Sequence, residues 1–237
     1  MLGRVNRVFA KRAKFVASGF DTLTRLPAGS EHRPIGNPLR AQIVNAIPKT
    51  YKAPAKTINL LIVGGSLGAR LISEVVPEAI LALPENLRSR LNVVQQTRAE
   101  YLDRARKIYD EAGIKNMCES FFSDIETHLS KAHFVIGRAG ASSVSEIAIM
   151  GKPSLLVPLA IAMDDHQTEN AKALKSLGAA DILPESEFTP KKVSAILEER
   201  LNDANWLETA ARSARSAAHT NATESMAELV IAAVRNA

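Results

Sequence analysis

INLLIVGGSLGAR, residues 58–70, is an apolar run that halts in glycines and resumes as a helical pattern. A short, nearly continuous apolar run is how a strand buried on both faces reads. Gly64 and Gly65 permit positive φ and close backbone approach, Ser66 offers a hydroxyl, and Gly68 opens the next helix. Free N–H groups at such a helix start, reinforced by its dipole, make an anion site. The plainer alternative is a tight strand-to-helix turn whose glycines only permit packing. No Lys-Ser/Thr follows, so a Walker A loop is not expected. Only the GxxG tail of a dinucleotide fingerprint is present, which counts against NAD.

Around this run the pattern is regular. Further strand candidates are Leu91–Gln95, Met117–Phe121, Phe134–Gly137, Ser154–Pro158 and Ala180–Leu183, with helical stretches between them, several closed by Gly113, Gly151 or Gly178. Three helical segments follow, near 190–202, 204–218 and 223–235. Such alternation predicts an α/β fold, a Rossmann-like, doubly wound parallel sheet of six strands in the order 3-2-1-4-5-6. In that order the loops after the first and fourth strands diverge and leave a crevice. The first of these loops is GGSLGA and the second is GRAGASS, so the two most glycine-rich loops face each other.

The second loop continues as GRAGASSVSEIAIMG, residues 137–151. Ser143 and Glu146 have the spacing of a capping box, which would spend Glu146 on a backbone N–H. The functional alternative places the Ser142 and Ser143 amides on a phosphate and the Glu146 carboxylate on a ribose diol. Facing the first loop, the segment favours a nucleotide. PLAIAMDDHQTENA, residues 158–171, gathers Asp164, Asp165, His166, Gln167 and Asn170 where a loop enters a helix. Capping accounts for the acids, while His166 and Gln167 suit sugar hydroxyls. No two Asp residues stand two apart, and no metal is expected. In PIGNPLR, residues 34–40, Asn37-Pro38 forms a turn, and Arg40 is either a surface charge or a phosphate contact.

The totals narrow the class. With 237 residues, 46% hydrophobic, the chain can bury a substantial core. Residues 1–57 hold eleven Lys or Arg against two acids, and the remainder nineteen against twenty-three. A basic N-terminal part suits an anionic membrane surface or a pyrophosphate-bearing substrate, although a solvated helix face explains it as well. Residues 2–14 have helical spacing, FVASGF (15–20) reads as a short strand, and the five prolines between Leu26 and Ala55 mark extended, linker-like chain with a domain boundary in it. There is no signal peptide and no apolar run long enough to cross a bilayer. A lone Cys118 indicates a cytosolic chain. Few aromatic residues and no recognition motif argue against nucleic acid.

GNPLR, GGSLGAR, FFSDIETHLSKAHFVIGRAGASSVSE and DDHQTENA, in this order and spacing, resemble the MurG family, bacterial UDP-N-acetylglucosamine:N-acetylmuramyl-(pentapeptide) pyrophosphoryl-undecaprenol N-acetylglucosaminyltransferases. The resemblance implies a two-domain GT-B glycosyltransferase, inverting and metal-independent, without a cofactor. It would add GlcNAc from UDP-GlcNAc to lipid I, giving lipid II in peptidoglycan synthesis, as a peripheral enzyme on the cytoplasmic face of the inner membrane. By motif match Arg40, Gly65, Ser66 and Gly68 would hold the diphosphate and Phe122 would lie beside the uracil. Ala141, Ser142 and Ser143 would line the phosphates, Glu146 the ribose, and His166 and Gln167 the GlcNAc. Residues 1–40 would then be a remnant of the N-terminal acceptor domain, 41–57 an interdomain linker and 58–219 the donor-binding domain. Residues 220–237 would be a helix crossing back towards residues 2–14, its apolar face of Met226, Leu229, Val230 and Val234 partly uncovered. Two departures stand out. The family's opening glycine-rich loop, with a His proposed as catalytic base, has no counterpart in this sequence, so no catalytic residue is assigned and membrane contact would fall to that absent domain. Leu67 also stands where a glutamine is usual. A donor-binding subunit of a split glycosyltransferase is the alternative, and a Rossmann-type NAD-dependent oxidoreductase a more distant one.

Overall fold

The computed structural model describes residues 1–65, 69–159 and 165–235. Ser66 and Gly68 of the first glycine loop, Leu67 between them, and Asp164 lie outside the described residues.

The chain opens with helix α1 (Arg4–Ala10) and two short strands, β1 (Val16–Ser18) and β2 (His32–Pro34), paired in parallel. Helix α2 (Ala41–Asn45) then leads into strands β3 (Ile58–Val63), β4 (Leu91–Gln96), β5 (Lys115–Glu119), β6 (Phe134–Arg138), β7 (Ser154–Val157) and β8 (Ala180–Ile182). These six form one parallel sheet in the order β5-β4-β3-β6-β7-β8. Numbered within the sheet this is 3-2-1-4-5-6, the doubly wound order expected from the motifs.

Side chains of β3 leave the strand to both faces. Ile58, Leu60 and Ile62 enter a core with Ile72, Val76 and Ile80 of α3 (Arg70–Leu81), Tyr109 of α5 (Leu102–Glu111) and Val193 and Leu197 of α9 (Pro190–Leu201). Leu61 points the other way, into a cluster with Leu129 of α6 (Ile125–Lys131), Val144 and Ile147 of α7 (Ala141–Ile149) and Leu174 of α8 (His166–Lys175). Two apolar faces need two layers of helices, hence the crossovers on both sides. Gly113, Gly151 and Gly178 have φ of 65°, 61° and 70°, closing α5, α7 and α8 in the left-handed region.

Two expectations for the flanks change. The proline-rich segment contains β2 and α2, and it is held down along its length. Ile43 of α2 is fully buried, Arg215 Nη2 donates to the Pro48 carbonyl at 2.7 Å, Tyr51 Oη to the His133 carbonyl at 2.9 Å, and Arg90 Nε to the Lys56 carbonyl at 3.1 Å. The prolines keep the chain extended, and side chains of the large sheet's own elements satisfy its carbonyls. Helix α1 is shorter than the periodicity over 2–14 predicts. The last helix, α11 (Ala222–Arg235), is anchored at its root: His219 Nε2 lies 2.9 Å from Asp21 Oδ1. Beside it a Cβ added at Gly36 would stand 3.0 Å from that of Ala222. Val5, Val8 and Phe9 of α1 are 69, 71 and 60% exposed, and Val230 and Val234 of α11 are 56 and 72% exposed while Met226 and Leu229 are half-buried, so both apolar faces are partly uncovered.

Lys152, at the entry to β7, is buried, and its Nζ donates to the Ser130 and Ala132 carbonyls at the end of α6, at 2.8 and 2.9 Å. Burial, assisted by Arg215, lowers its pKa from 10.5 to about 8. Below that value both native and unfolded chains carry the proton, and the native state bears the full burial cost. Between 8 and 10.5 the unfolded chain binds more protons, so this group's contribution to stability rises with pH, by at most about 1.4 kcal/mol per pH unit. Urea denaturation of the wild type and Lys152→Met across this range should show that rise in the wild type relative to the variant; parallel curves would refute it.

Candidate functional site

A cleft of about 760 Å³ opens at the carboxyl ends of the strands, where the order reverses between β3 and β6. Gly64 and Gly65 line one wall and Gly140, Ser142, Ser143 and Glu146 the other. Gly65 has φ of 84°, a conformation that glycine adopts without strain. The first hydrogen bond of α7 runs from the Val144 N–H to the Gly140 carbonyl, so the amides of residues 141–143 lie ahead of the helical ladder at the positive end of its dipole.

The capping-box alternative fails. Gly140 is the N-cap of α7, without a side-chain cap bond, and Ser143 and Glu146 both lie within the helix. Glu146 instead accepts from Arg40 Nη2 at 3.3 Å, with its side chain 16% exposed against 57% for Arg40. Burial raises the Glu146 pKa, and the Arg40 charge and hydrogen bond oppose that rise.

Arg40 reaches the cleft because of Asn37, which the sequence marks only as a turn former. Asn37 Nδ2 donates to Ser145 Oγ at 2.7 Å and approaches the Ala141 carbonyl at 3.5 Å, seating the turn on α7. Gly19 fits over it, since any Cβ there would stand 2.2 Å from the Asn37 side chain. Gly19 thus packs on the Asn37 turn, the turn is seated on α7, and Arg40 is brought to the Glu146 carboxylate.

Phe122 lines the cleft, is 8% exposed and stacks at a tilt on His128, ring centroids 4.7 Å apart. Phe121, unremarked in the sequence, also lines it and is 68% exposed. Gln167 lines the far end and accepts the Leu159 N–H at 3.1 Å through Oε1. His166 and Ala141 are not among the lining residues. The His166 ring faces Gly3, where an added Cβ would be 3.7 Å from its Cε1, and the Ala141 carbonyl faces Asn37. Asp165 does not cap by its side chain: it is the N-cap of α8 with φ of 54° and makes no cap hydrogen bond. Asn170 ties α8 to the second glycine loop, donating to the Ala139 carbonyl at 3.1 Å.

Arg138, at the end of β6, also lines the cleft. Its guanidinium meets Glu185 at 2.5 Å and donates to the Val157 carbonyl at 3.3 Å, both side chains of the ion pair being largely buried. Such a pair leaves little charge for a ligand and fixes the floor. Arg70 and Arg98 sit on the rim, bonded to Glu74 and Glu100.

Residues 59–229 match the family model described as glycosyltransferase family 28 C-terminal domain. Among curated proteins, the UDP-N-acetylglucosamine--N-acetylmuramyl-(pentapeptide) pyrophosphoryl-undecaprenol N-acetylglucosamine transferase of Maricaulis maris is 50% identical over 234 residues, covering 97% of this chain and 64% of that one. The same-named protein of Caulobacter vibrioides is 43% identical over 232 residues, with the same coverage. The chain thus spans about 64% of the length of these relatives. Among solved structures, MurG of Acinetobacter baumannii superposes with a TM-score of 0.77 at 32% identity, over 96% of this chain and 63% of that one. The lipopolysaccharide glycosyltransferase WaaG shares the fold, with a TM-score of 0.56 at 19% identity over 78% of this chain and 48% of its own.

Removing the Arg40 charge leaves burial, aided by the Glu126 charge, opposed only by the Ser142 hydrogen bond, so Arg40→Ala should shift the Glu146 carboxyl titration upward. Carbon-detected NMR titration of the labelled side chain checks this; an unchanged or lowered midpoint would show that the pair does not form.

Proposed function

Because the chain belongs to glycosyltransferase family 28, whose C-terminal domain it carries, we propose that it binds UDP-N-acetylglucosamine and supplies the donor side of GlcNAc transfer to lipid I, giving lipid II. Its fold is that of a GT-B glycosyltransferase. The observation that carries the proposal is the convergence of Arg40 and Glu146 between two glycine-rich loops at the switch point of the sheet.

In this reading one ligand meets all the groups of the cleft. The uracil lies by Phe122, the ribose diol donates to the Glu146 carboxylate, and the diphosphate faces the Gly65 loop and the amides that open α7. Ser66 and Gly68 belong to the same loop by motif. Gln167 and His166 would meet the sugar, His166 only after turning from Gly3. Transfer breaks the bond between the anomeric carbon and the diphosphate, and negative charge grows on the departing UDP. Preorganised amides and a helix dipole favour that charge without reorganising, and the Arg40 guanidinium adds its positive charge once it turns from Glu146. The muramyl 4-hydroxyl of lipid I attacks the anomeric carbon, forming the new glycosidic bond and giving up its proton to a base; the acceptor site and that base are assigned to the further part that the relatives possess. The same holds for contact with the cytoplasmic face of the inner membrane. No helix among the described residues is long and apolar enough to cross a membrane.

Calorimetric titration with UDP, UDP-GlcNAc and NADH tests the proposal. UDP and UDP-GlcNAc should bind and NADH should not. A charge-assisted hydrogen bond contributes about 1.5–3 kcal/mol, so Glu146→Ala should weaken UDP binding roughly ten- to a hundred-fold. Glu146→Gln, which retains an acceptor oxygen, should fall between the two. Equal UDP affinity in all three proteins, or preference for NADH, would sink the assignment.

A further inference from the structure

Strands β3 and β4 separate at their carboxyl ends. Their pairing stops at Ile62 with Gln95, whereas β4 remains paired with β5 one residue further, Gln96 with Glu119. Past that point the Thr97 N–H goes to the Glu119 carbonyl at 2.9 Å, which carries β4 towards β5 and away from β3. The Gln96 side chain fills the gap. It is 7% exposed, and both ends of its amide are used: Oε1 accepts the Gly64 N–H at 3.2 Å, and Nε2 donates to the Ser120 carbonyl at 3.3 Å. Gly64 begins the glycine loop. Ser120 immediately precedes Phe121 and Phe122. Gln96 also lines the cleft itself.

We propose that Gln96 is a positioning residue that sets the spacing between the glycine loop and the Phe121–Phe122 loop, and so selects ligands long enough to engage both, such as a nucleoside diphosphate. The proposal rests on the nucleotide reading above. A primary amide is the group this place requires, because one loop presents a donor and the other an acceptor. A carboxylate serves only Gly64, and an apolar side chain serves neither. A ligand touching one loop is indifferent to their separation. A ligand bridging them binds a preorganised pair, and loses affinity when the pair drifts by a fraction of an ångström.

The test compares UDP with uridine on wild type, Gln96→Met and Gln96→Glu, with melting curves establishing that each is folded at the temperature used. Gln96→Met should weaken UDP about ten-fold and uridine by no more than about two-fold, because uridine, with its base by the phenylalanine loop and its ribose on Glu146, does not reach the glycine loop. The Gly64 amide, slow to exchange with deuterium in the wild type, should exchange quickly in Gln96→Met and stay protected in Gln96→Glu, whose carboxylate still accepts from it. Equal loss of UDP and uridine would reduce Gln96 to a general contributor to stability and overturn the proposal. So would unchanged UDP affinity in a folded Gln96→Met. Should Gln96→Met not fold, Gln96→Glu decides alone, with UDP again expected to suffer more than uridine and equal effects counting against the proposal. Failure of wild-type protein to bind either ligand would overturn the nucleotide reading and this proposal with it, whereas Gly64 exchange reports on the clamp without any ligand.

Discussion

Leu60, Leu61 and Ile62 of β3 carry parallel partners on both sides, β4 on one and β6 on the other, while their side chains are buried above and below the sheet. A strand so enclosed leaves its chain one exit, at the carboxyl end. The next two strands were laid down to one side of β3 and the last three to the other, so the loops leaving β3 and β6 cannot cover each other. The cleft is what remains between them. Much of what lines it is the end of a strand or the start of the following helix, where backbone amides are unspent.

The contents of that cleft are held by contacts of unequal strength. Arg138 and Glu185 are withdrawn from solvent and form part of the scaffold. Arg40 and Glu146 are different, since the guanidinium is more than half exposed and the carboxylate is not. An ion pair with one partner in water contributes about 0–1 kcal/mol, which a ligand can exchange for contacts of its own. A ligand that offers both groups partners of its own can therefore separate them. Asn37 allows this, because it fixes the turn before Arg40 and leaves the arginine side chain itself free to swing.

The flanking segments belong to the same physical unit as the sheet. Residues 41–57 read as a linker by composition, yet Ile43 is buried in one of the two cores and Arg215, Arg90 and His133 engage the stretch behind it. Arg40 is consequently delivered to the cleft from a base that cannot drift. Several apolar side chains of α1 and α11, among them Val8, Phe9, Val230 and Val234, are by contrast exposed.

Local chemistry was enough to place the six strands, their order, the glycine caps and the two facing loops, because burial on both faces and positive φ leave marks in residue type at fixed spacing. It also pointed to Gly65, Ser142, Ser143, Glu146 and Gln167, while Phe122 came from the family resemblance and Arg40 was left open between a surface charge and a phosphate contact; all seven line the cleft. What only the tertiary structure decided concerns side chains whose partners are distant in sequence. A capping box and a ligand carboxylate share one spacing, and only the position of Gly140 as the N-cap and the arrival of Arg40 separate them. Asn37 and Gln96 carry no signature, since an amide in a turn or at a strand end is ordinary until Ser145, Gly64 and Ser120 are seen around it. The direction of the His166 ring was likewise beyond the sequence, because it is set by the space that Gly3 leaves on another element. Pattern records what a residue needs from the chain beside it; the fold alone determines which distant groups meet that need.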